Sequence, residues 1–364
     1  MIPAPVNRPS ETSGFIGRPG GALPFPEARP PGYEWFDDEP AFDPDRHLDV
    51  QPPGEVVMLA DLGYDEADVA PTATPVAFSS PFRILSDEGA AVLLDVARRL
   101  RPYKARARER IENMVRGGCY RSRWLRDLCL APEVTDVMSA VYGVDVAPHT
   151  MPVHLGHLNY EPTTVGEAVD KWHHDTLALD YVMPVSDPRT LPGGRFEVFL
   201  GTKAEAAELA TAGERPPTDR VQAPEFGGPG WAIALHGNMV VHRGGPLDEP
   251  AERITMVNGY VALDRSGDDQ SRSQDLVGVD DPAVLAAEWA RHAAWRGVGR
   301  LQDLFDTLPY GIDEATAADL LEAAVVDVRR AVDEMRSEPP PIEHYERHLD
   351  AESDPASGLE SGEA

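Results

Sequence analysis

Apolar positions along the chain follow two different periods, and the change between them organises the sequence. From 81 to 142 the period is largely helical. Pro81-Phe82-Arg83-Ile84-Leu85 reads as a short strand, after which Ser86 caps a helix whose apolar positions Ala90, Leu93, Leu94, Ala97 and Leu100 fall on one face, ending near Pro102. The stretch 103–116, dense in Arg and Glu, reads as a solvated helix. Pro132 then opens another, with Val134, Val137, Met138 and Val141 on one side and Gly143 just past its end.

From about 149 the period shortens to two. The runs 149–160, 176–185, 195–201, 231–236, 239–243 and 253–263 read as strands separated by turn residues. Strands without intervening helices imply an antiparallel sandwich or barrel, which brings residues distant in sequence into one pocket. The Ala-, Pro- and Gly-rich segment 203–229 reads as a surface insertion with a short helix at 204–211. Beyond 280 helices return: a run from Asp281-Pro282 to Trp295, a shorter one over 299–307, and a long one over 313–336. In the last, Leu321, Val325, Val328, Val332 and Met335 form an apolar stripe that needs a partner, either the sandwich or, in a homodimer through these helices, a second subunit.

The ends differ in composition. Residues 1–55 are a Pro- and Gly-rich arm without sustained period, and its Tyr33, Trp35 and Phe36 leave room for docking onto the body. Residues 337–364 are acidic and poor in apolar side chains, so disorder is expected. The body divides into a β-rich unit with its preceding helical layer, 56–265, and a helical extension, 266–336.

Charge narrows the partners. A formal net charge of -29 speaks against nucleic acid and anionic membranes, both of which need a basic surface. Cys119 and Cys129 cannot make a disulfide framework and read as inert thiols. With no secretory signal and no apolar run long enough to span a bilayer, the expectation is a soluble cytoplasmic protein acting on a small molecule.

Seven of the eleven histidines fall between 149 and 242, within the β-rich part. The stretch Lys171-Trp172-His173-His174-Asp175-Thr176 places an imidazole and a carboxylate two apart, on one face if the backbone is extended, with His174 turned away. A third ligand from a distant strand would complete a two-His-one-carboxylate face, which leaves three positions open on a non-haem Fe(II). His242 and His236 are the candidates. His242 is chosen because Arg253, eleven positions on, begins Arg253-Ile254-Thr255, where a guanidinium and a hydroxyl share a face; His236 then reads as a hydrogen-bonded core histidine.

Trp-His-x-Asp, a Gly-Gly-led strand ending in Gly-Thr (193–202), then His and, after ten intervening residues, Arg-x-Thr resemble the Fe(II)/2-oxoglutarate-dependent oxygenases, in element order the phytanoyl-CoA dioxygenase-like branch. The resemblance covers about residues 80–265. It implies a mainly β protein with flanking helices around a cupin-like double-stranded β-helix, or jelly roll. It further implies that His173, Asp175 and His242 bind iron, and that Arg253 and Thr255 hold the distal carboxylate of 2-oxoglutarate. The reaction class implied is hydroxylation or desaturation of an unactivated C–H with O2, releasing succinate and CO2. Related halogenases carry a small residue where this chain has Asp175, so chlorination is disfavoured.

The residue types suit that chemistry. A 2-oxo acid chelates through two of the open positions and O2 takes the third, while a guanidinium is the natural clamp for the far carboxylate of a diacid. Asn159 and Tyr160, on a strand expected to line the barrel, are candidates for contacting 2-oxoglutarate. For the substrate the candidates are Arg121 and Arg123, which alternatively form a solvated basic face, together with His174 and Arg195. Two competing classes share the three ligands: a jelly-roll isomerase or hydrolase using the metal as a Lewis acid, and a catalytically silent binding module. Arg253-x-Thr255 speaks against the first.

Overall fold

The computed structural model describes residues 22–107 and 110–339; the first 21 positions of the expected arm and residues 340–364 of the expected acidic tail lie outside the described residues. Fourteen strands occur among them. The first six are β1 (Val56–Met58), β2 (Val76–Ser79), β3 (Phe82–Arg83), β4 (Ala105–Ala107), β5 (Ile111–Val115) and β6 (Val146–Pro148). The rest are β7 (His157–Tyr160), β8 (Ala168–His173), β9 (Leu179–Pro184), β10 (Phe196–Phe199), β11 (Val221–Gln222), β12 (Trp231–Leu235), β13 (His242–Pro246) and β14 (Ile254–Ala262).

They form two antiparallel sheets. One runs β1-β2-β12-β9-β14-β7-β5-β4, with β3 on β12 and β6 on β14; the other runs β11-β10-β13-β8. From β7 to β14 the chain passes back and forth between the central strands β12-β9-β14-β7 and the four-stranded sheet, which is the strand order of a jelly roll.

Alternation decides what each strand gives to which side. On β9, Leu179, Tyr181 and Met183 join a core shared with the helices, and Val182 joins the core between the sheets. On β12 the split is Ala232 and Ala234 against Ile233 and Leu235; on β14 it is Ile254, Met256 and Tyr260 against Val257. The outer layer is the helices Asp87–Leu100 and Pro132–Tyr142 with the shorter Arg123–Cys129. Ser86 accepts from the Gly89 N–H at the first N-terminus, and Gly143, at φ 69, ends the second.

Three local expectations are corrected. Residues 103–116 are not a helix: a 3-10 turn, Arg101–Tyr103, leads into the hairpin of β4 and β5. Burial of Ile111, Met114 and Val115 and the pairing of β5 with β7 outweigh the helix-forming Arg and Glu. The expected first strand of the β region, 149–160, begins instead with a 3-10 turn at Pro152–His154, and only His157–Tyr160 is strand. After 280, one helix runs unbroken from Pro282 to Thr307, and the expected long helix is two, Glu314–Ala324 and Val326–Arg336.

The stripe named for that last helix does not face the body. Leu321 is 55% exposed and Met335 47%, whereas Ala324, Asp327 and Ala331 are buried. What fixes the C-terminal helices is an apolar cluster of Leu276, Val284, Leu285, Trp289, Ala293 and Ala331 against Tyr120, Met151 and Val153. A buried charge network adds to it, in which Asp327 accepts from Arg296 and Arg300, each at 2.9 Å. No described helix is long and apolar enough to cross a membrane.

The N-terminal arm is docked. Phe25, Phe36 and Phe42 pack on the main core, and the guanidinium of Arg123 lies 4.9 Å from the Trp35 ring.

Candidate metal centre

The ladder between β8 and β13 sets two imidazoles side by side. His173 is in register with His242, at a point where a bulge shifts the pairing, and their ring centroids are 4.2 Å apart. Asp175 lies just beyond the end of β8, held by its own N–H donating to the Gly237 carbonyl at 2.8 Å and by its carbonyl accepting from the Asn238 side chain at 2.9 Å. Its carboxylate reaches both rings: Oδ1 is 3.3 Å from His173 Nε2, and Oδ2 is 3.5 Å from His242 Nε2. Ligand atoms of the three residues all lie within 4.8 Å of one another.

The ring orientations follow from the backbone. His173 Nδ1 lies 2.6 Å from the Lys171 carbonyl and His242 Nδ1 2.9 Å from the Val240 carbonyl, so each imidazole donates its Nδ1 proton to the residue two before it. The acceptor lone pair is thereby on Nε2, directed at the shared point. Burial holds both imidazoles below the usual histidine range, so they are neutral at pH 7. Burial by itself would raise Asp175, but its surroundings, the His173 and His242 rings and the Arg110 guanidinium, outweigh it and hold the carboxylate below its usual range. Two neutral, buried imidazoles converging with one half-buried carboxylate suit a divalent transition metal.

The triad opens on a small cavity of about 30 Å³, also lined by Arg110, His157, Asn159, Asp170, Phe196, Arg253 and Thr255. Arg253 is buried; burial pulls it down to about 10, which leaves it charged at neutrality, and its Nε donates to the Gly194 carbonyl at 3.1 Å. Gly194 is at φ +66, and a Cβ there would stand 2.8 Å from Leu247 Cδ2 and 3.5 Å from Arg253 Cγ, so glycine lets this loop close over the guanidinium. Thr255, two residues on, pairs across the ladder with Asn159. Two buried polar atoms in the cavity lack a partner among the described residues: His157 Nδ1 and Asn159 Oδ1. Their want of partners fits a polar ligand bound between the triad and Arg253.

Other residues singled out in the sequence sit elsewhere. Arg121 lies 4.4 Å from the Tyr33 ring and 3.9 Å from the Tyr103 ring, and together with Arg123 it fastens the N-terminal arm. Arg195 is exposed, and the half-buried His174 does not line the cavity. His236 is wholly buried in a hydrophobic setting that pushes it down to about 3, outside the cavity. Tyr160 turns the other way, its hydroxyl donating to the Ala97 carbonyl at 2.7 Å. The cavity residues that the sequence reading passed over are Arg110, hidden in an apparent helix, and Asp170, one of many acidic residues. Three positions before His173, Asp170 is out of phase with it for a period of two, so the strand pattern gives no signal, and the shift in register between β8 and β13 accompanies its arrival in the cavity.

No family model matches the chain, and no curated protein matches it. Among solved structures, it is similar to EctD from S. alaskensis with 2-oxoglutarate and 5-hydroxyectoine, at 18% identity over 59% of this chain and 86% of that one, TM-score 0.39. AviO1 from Streptomyces viridochromogenes Tue57 follows at 20% identity, 51% and 89% coverage and TM-score 0.38. The non-heme alpha ketoglutarate dependent epimerase SnoN from nogalamycin biosynthesis stands at 16%, 49% and 74%, TM-score 0.34. These likenesses are slight in sequence and in geometry, and the functional reading rests on the chain's own side chains.

Proposed function

We propose that this chain is an oxygenase that uses Fe(II), 2-oxoglutarate and O2 to hydroxylate an unactivated C–H of a small molecule, such as an amino acid or specialised metabolite, releasing succinate and CO2. The observation that carries this reading is that one cavity is lined by the His173-Asp175-His242 donor set and by the buried pair Arg253 and Thr255. The donor set alone would serve an isomerase or hydrolase equally well. A buried cation beside a hydroxyl has no task in such an enzyme, whereas it suits a diacid co-substrate.

Iron bound here would supply O2 activation coupled to oxidative decarboxylation of the 2-oxo acid. The chain does the rest. The carbonyls of Lys171 and Val240 keep both imidazoles in the ligating tautomer, and Asp175 stays ionised to offset metal charge. Arg253 and Thr255 take the distal carboxylate, and Asn159 offers its unpartnered oxygen to a donor in the same cavity. In this proposal residues 56–265 form the catalytic unit with its helical layer, and 266–336 pack on it as an extension. The exposed stripe Leu321, Val328, Val332 and Met335 supports a second copy as partner, which sedimentation at micromolar concentration would detect. The free, buried Cys119 and Cys129 suit a cytoplasmic setting.

The test is succinate release from the purified protein with Fe(II), ascorbate, O2 and 2-oxoglutarate over a panel of amino acids and other metabolites. His173→Ala and Asp175→Ala should each abolish it. Arg253→Ala should retain metal and need roughly 100-fold more 2-oxoglutarate. Equal succinate from either ligand variant, or loss of metal from Arg253→Ala, overturns the reading.

A further inference from the structure

The cavity contains a second arginine. Arg110 comes from the β4–β5 hairpin, outside the eight strands of the jelly roll, and reaches the cavity because β5 pairs with β7, Met114 against Asn159 and Val115 against Leu158. Its side chain is 21% exposed, with Nε 3.0 Å from Asp170 Oδ1 and Nη2 3.8 Å from Asp175 Oδ1. The guanidinium therefore lies between two carboxylates. One of the two is a metal ligand, whose oxygens a bound cation claims.

Charge bookkeeping then has a definite outcome. A divalent cation and the guanidiniums of Arg110 and Arg253, set against Asp170 and Asp175, leave two positive charges in a cavity whose imidazoles are neutral; Glu161 lies outside the cavity lining and its charge is paired with Arg101. Uncompensated charge in a buried pocket is costly. The two arginines serve different ends: the carboxylates acting on Arg253 are Asp170 and Glu161, and Arg110 is the arginine acting on Asp175. A dianion with a carboxylate at each end closes the count. The unpartnered His157 Nδ1, which can donate in one tautomer, independently marks the same cavity as open to an acceptor; Asn159 Oδ1, itself an acceptor, is left for a donor that a dianion does not carry.

We propose that Arg110 holds the metal-proximal carboxylate of the 2-oxo diacid, as Arg253 holds the distal one, so that the co-substrate is gripped at both ends by guanidiniums from unrelated segments. The inference rests on the reading of the site as one served by a 2-oxo diacid. The same guanidinium chemistry would also suit a carboxylate of the primary substrate. The charge count favours the co-substrate, since one diacid already neutralises the pocket.

The experiment is calorimetric titration of the full chain loaded with Mn(II), using 2-oxoglutarate and 2-oxovalerate, which keeps the proximal carboxylate and lacks the distal one. Arg110→Gln should weaken both ligands by roughly 100-fold, and Arg110→Lys by about 10-fold. Arg253→Ala should weaken 2-oxoglutarate and leave 2-oxovalerate unchanged. Mn(II) affinity in Arg110→Gln should hold or rise, because a cation beside Asp175 is removed. A fall in Mn(II) affinity with unchanged 2-oxo acid binding overturns the proposal and leaves Arg110 as a residue that merely positions Asp175. Unchanged 2-oxo acid binding with loss of the succinate response to acidic compounds also overturns it, moving the arginine to the primary substrate. If the unaltered Mn(II) protein binds no 2-oxoglutarate, the functional reading falls as well; if it binds and only Arg253→Ala weakens it, this proposal alone falls. Should Arg110→Gln not fold, Arg110→Lys decides, with equal affinity for 2-oxovalerate in both proteins as the overturning result.

Discussion

Two buried clusters of histidine and aspartate lie among the described residues, and one of them has the donor arrangement of a metal centre. At the first, His173, Asp175 and His242 turn ligand atoms toward a common point. At the second, beneath the C-terminal helices, His149 stacks on His292 with ring centroids 5.1 Å apart and meets His154 at 4.6 Å, with Asp269 alongside. The residue types are nearly the same. The difference is where the nitrogens are engaged. His292 Nδ1 is 2.6 Å from Thr150 Oγ1 and its Nε2 is 2.6 Å from Asp269 Oδ2, while His149 has Ser271 Oγ at 3.2 Å on one side and the Met151 N–H at 3.1 Å on the other. Those nitrogens are spent on protein partners. At the metal centre each ring spends only Nδ1 on a backbone carbonyl and keeps Nε2 for a ligand.

The comparison breaks most visibly under single substitutions. His242→Ala should lower divalent-metal affinity by more than about 100-fold, since even partners behind a ligand cost 10–100-fold, and should leave the metal-free fold intact. Asp269→Ala should do the reverse. It strands His292, Arg296 and Arg330, which all approach Asp269 Oδ2, and so should cost about 3–5 kcal/mol of unfolding free energy with metal affinity unchanged. Metal titration and chemical denaturation on both variants check this; a metal defect in Asp269→Ala would join the two clusters into one functional unit.

That contrast also shows what the sequence made legible. The spacing His173-x-Asp175, the downstream His242 and Arg253-x-Thr255 are short-range patterns on strands, where a period of two decides the facing, and the structure brings all five to one cavity. Arg110 was hidden because its local composition favours a helix, and only the burial of Ile111 and Met114 and the pairing with β7 make it the foot of a strand. Arg121 and Arg123 have the composition of an anion site but stack on Tyr33, Tyr103 and Trp35, which no local pattern foretells. His149 and His292 are 143 positions apart, so their stacking follows from how the C-terminal helices dock.

Acid should expose the next difference. Burial is the leading cause that lowers His149 and His154 well below the usual range, and it pushes His236 to about 3. Above about pH 6.5 these rings are neutral folded and unfolded alike. Below it the unfolded chain takes up protons that the folded one refuses, so stability falls as pH drops from about 6.5 toward 3. Asp269, held low despite its burial by His292, Arg296 and Arg330, loses its contribution only below the ordinary carboxylate pKa. Between pH 6 and 4 the buried histidines therefore lower stability, while Glu288, which burial raises to about 7, works in the opposite direction. His236→Gln should reduce the slope of unfolding free energy against pH in that window by about 1.4 kcal/mol per unit, in denaturant titrations at stepped pH. An unchanged slope would mean that His236 is protonated in the folded state.

The smallest effect tests whether the second cluster is purely structural. Thr150→Val keeps the shape of the side chain and removes one hydrogen bond, to His292 Nδ1, while Asp269 remains on Nε2. A buried imidazole nitrogen left without its partner should cost about 1–3 kcal/mol, below the loss expected for Asp269→Ala because no charge is stranded. Metal affinity and the response to 2-oxoglutarate should not move. If they did, the C-terminal helices would be reporting to the metal centre through His149 and His154, and the line drawn between the two clusters would have to be withdrawn.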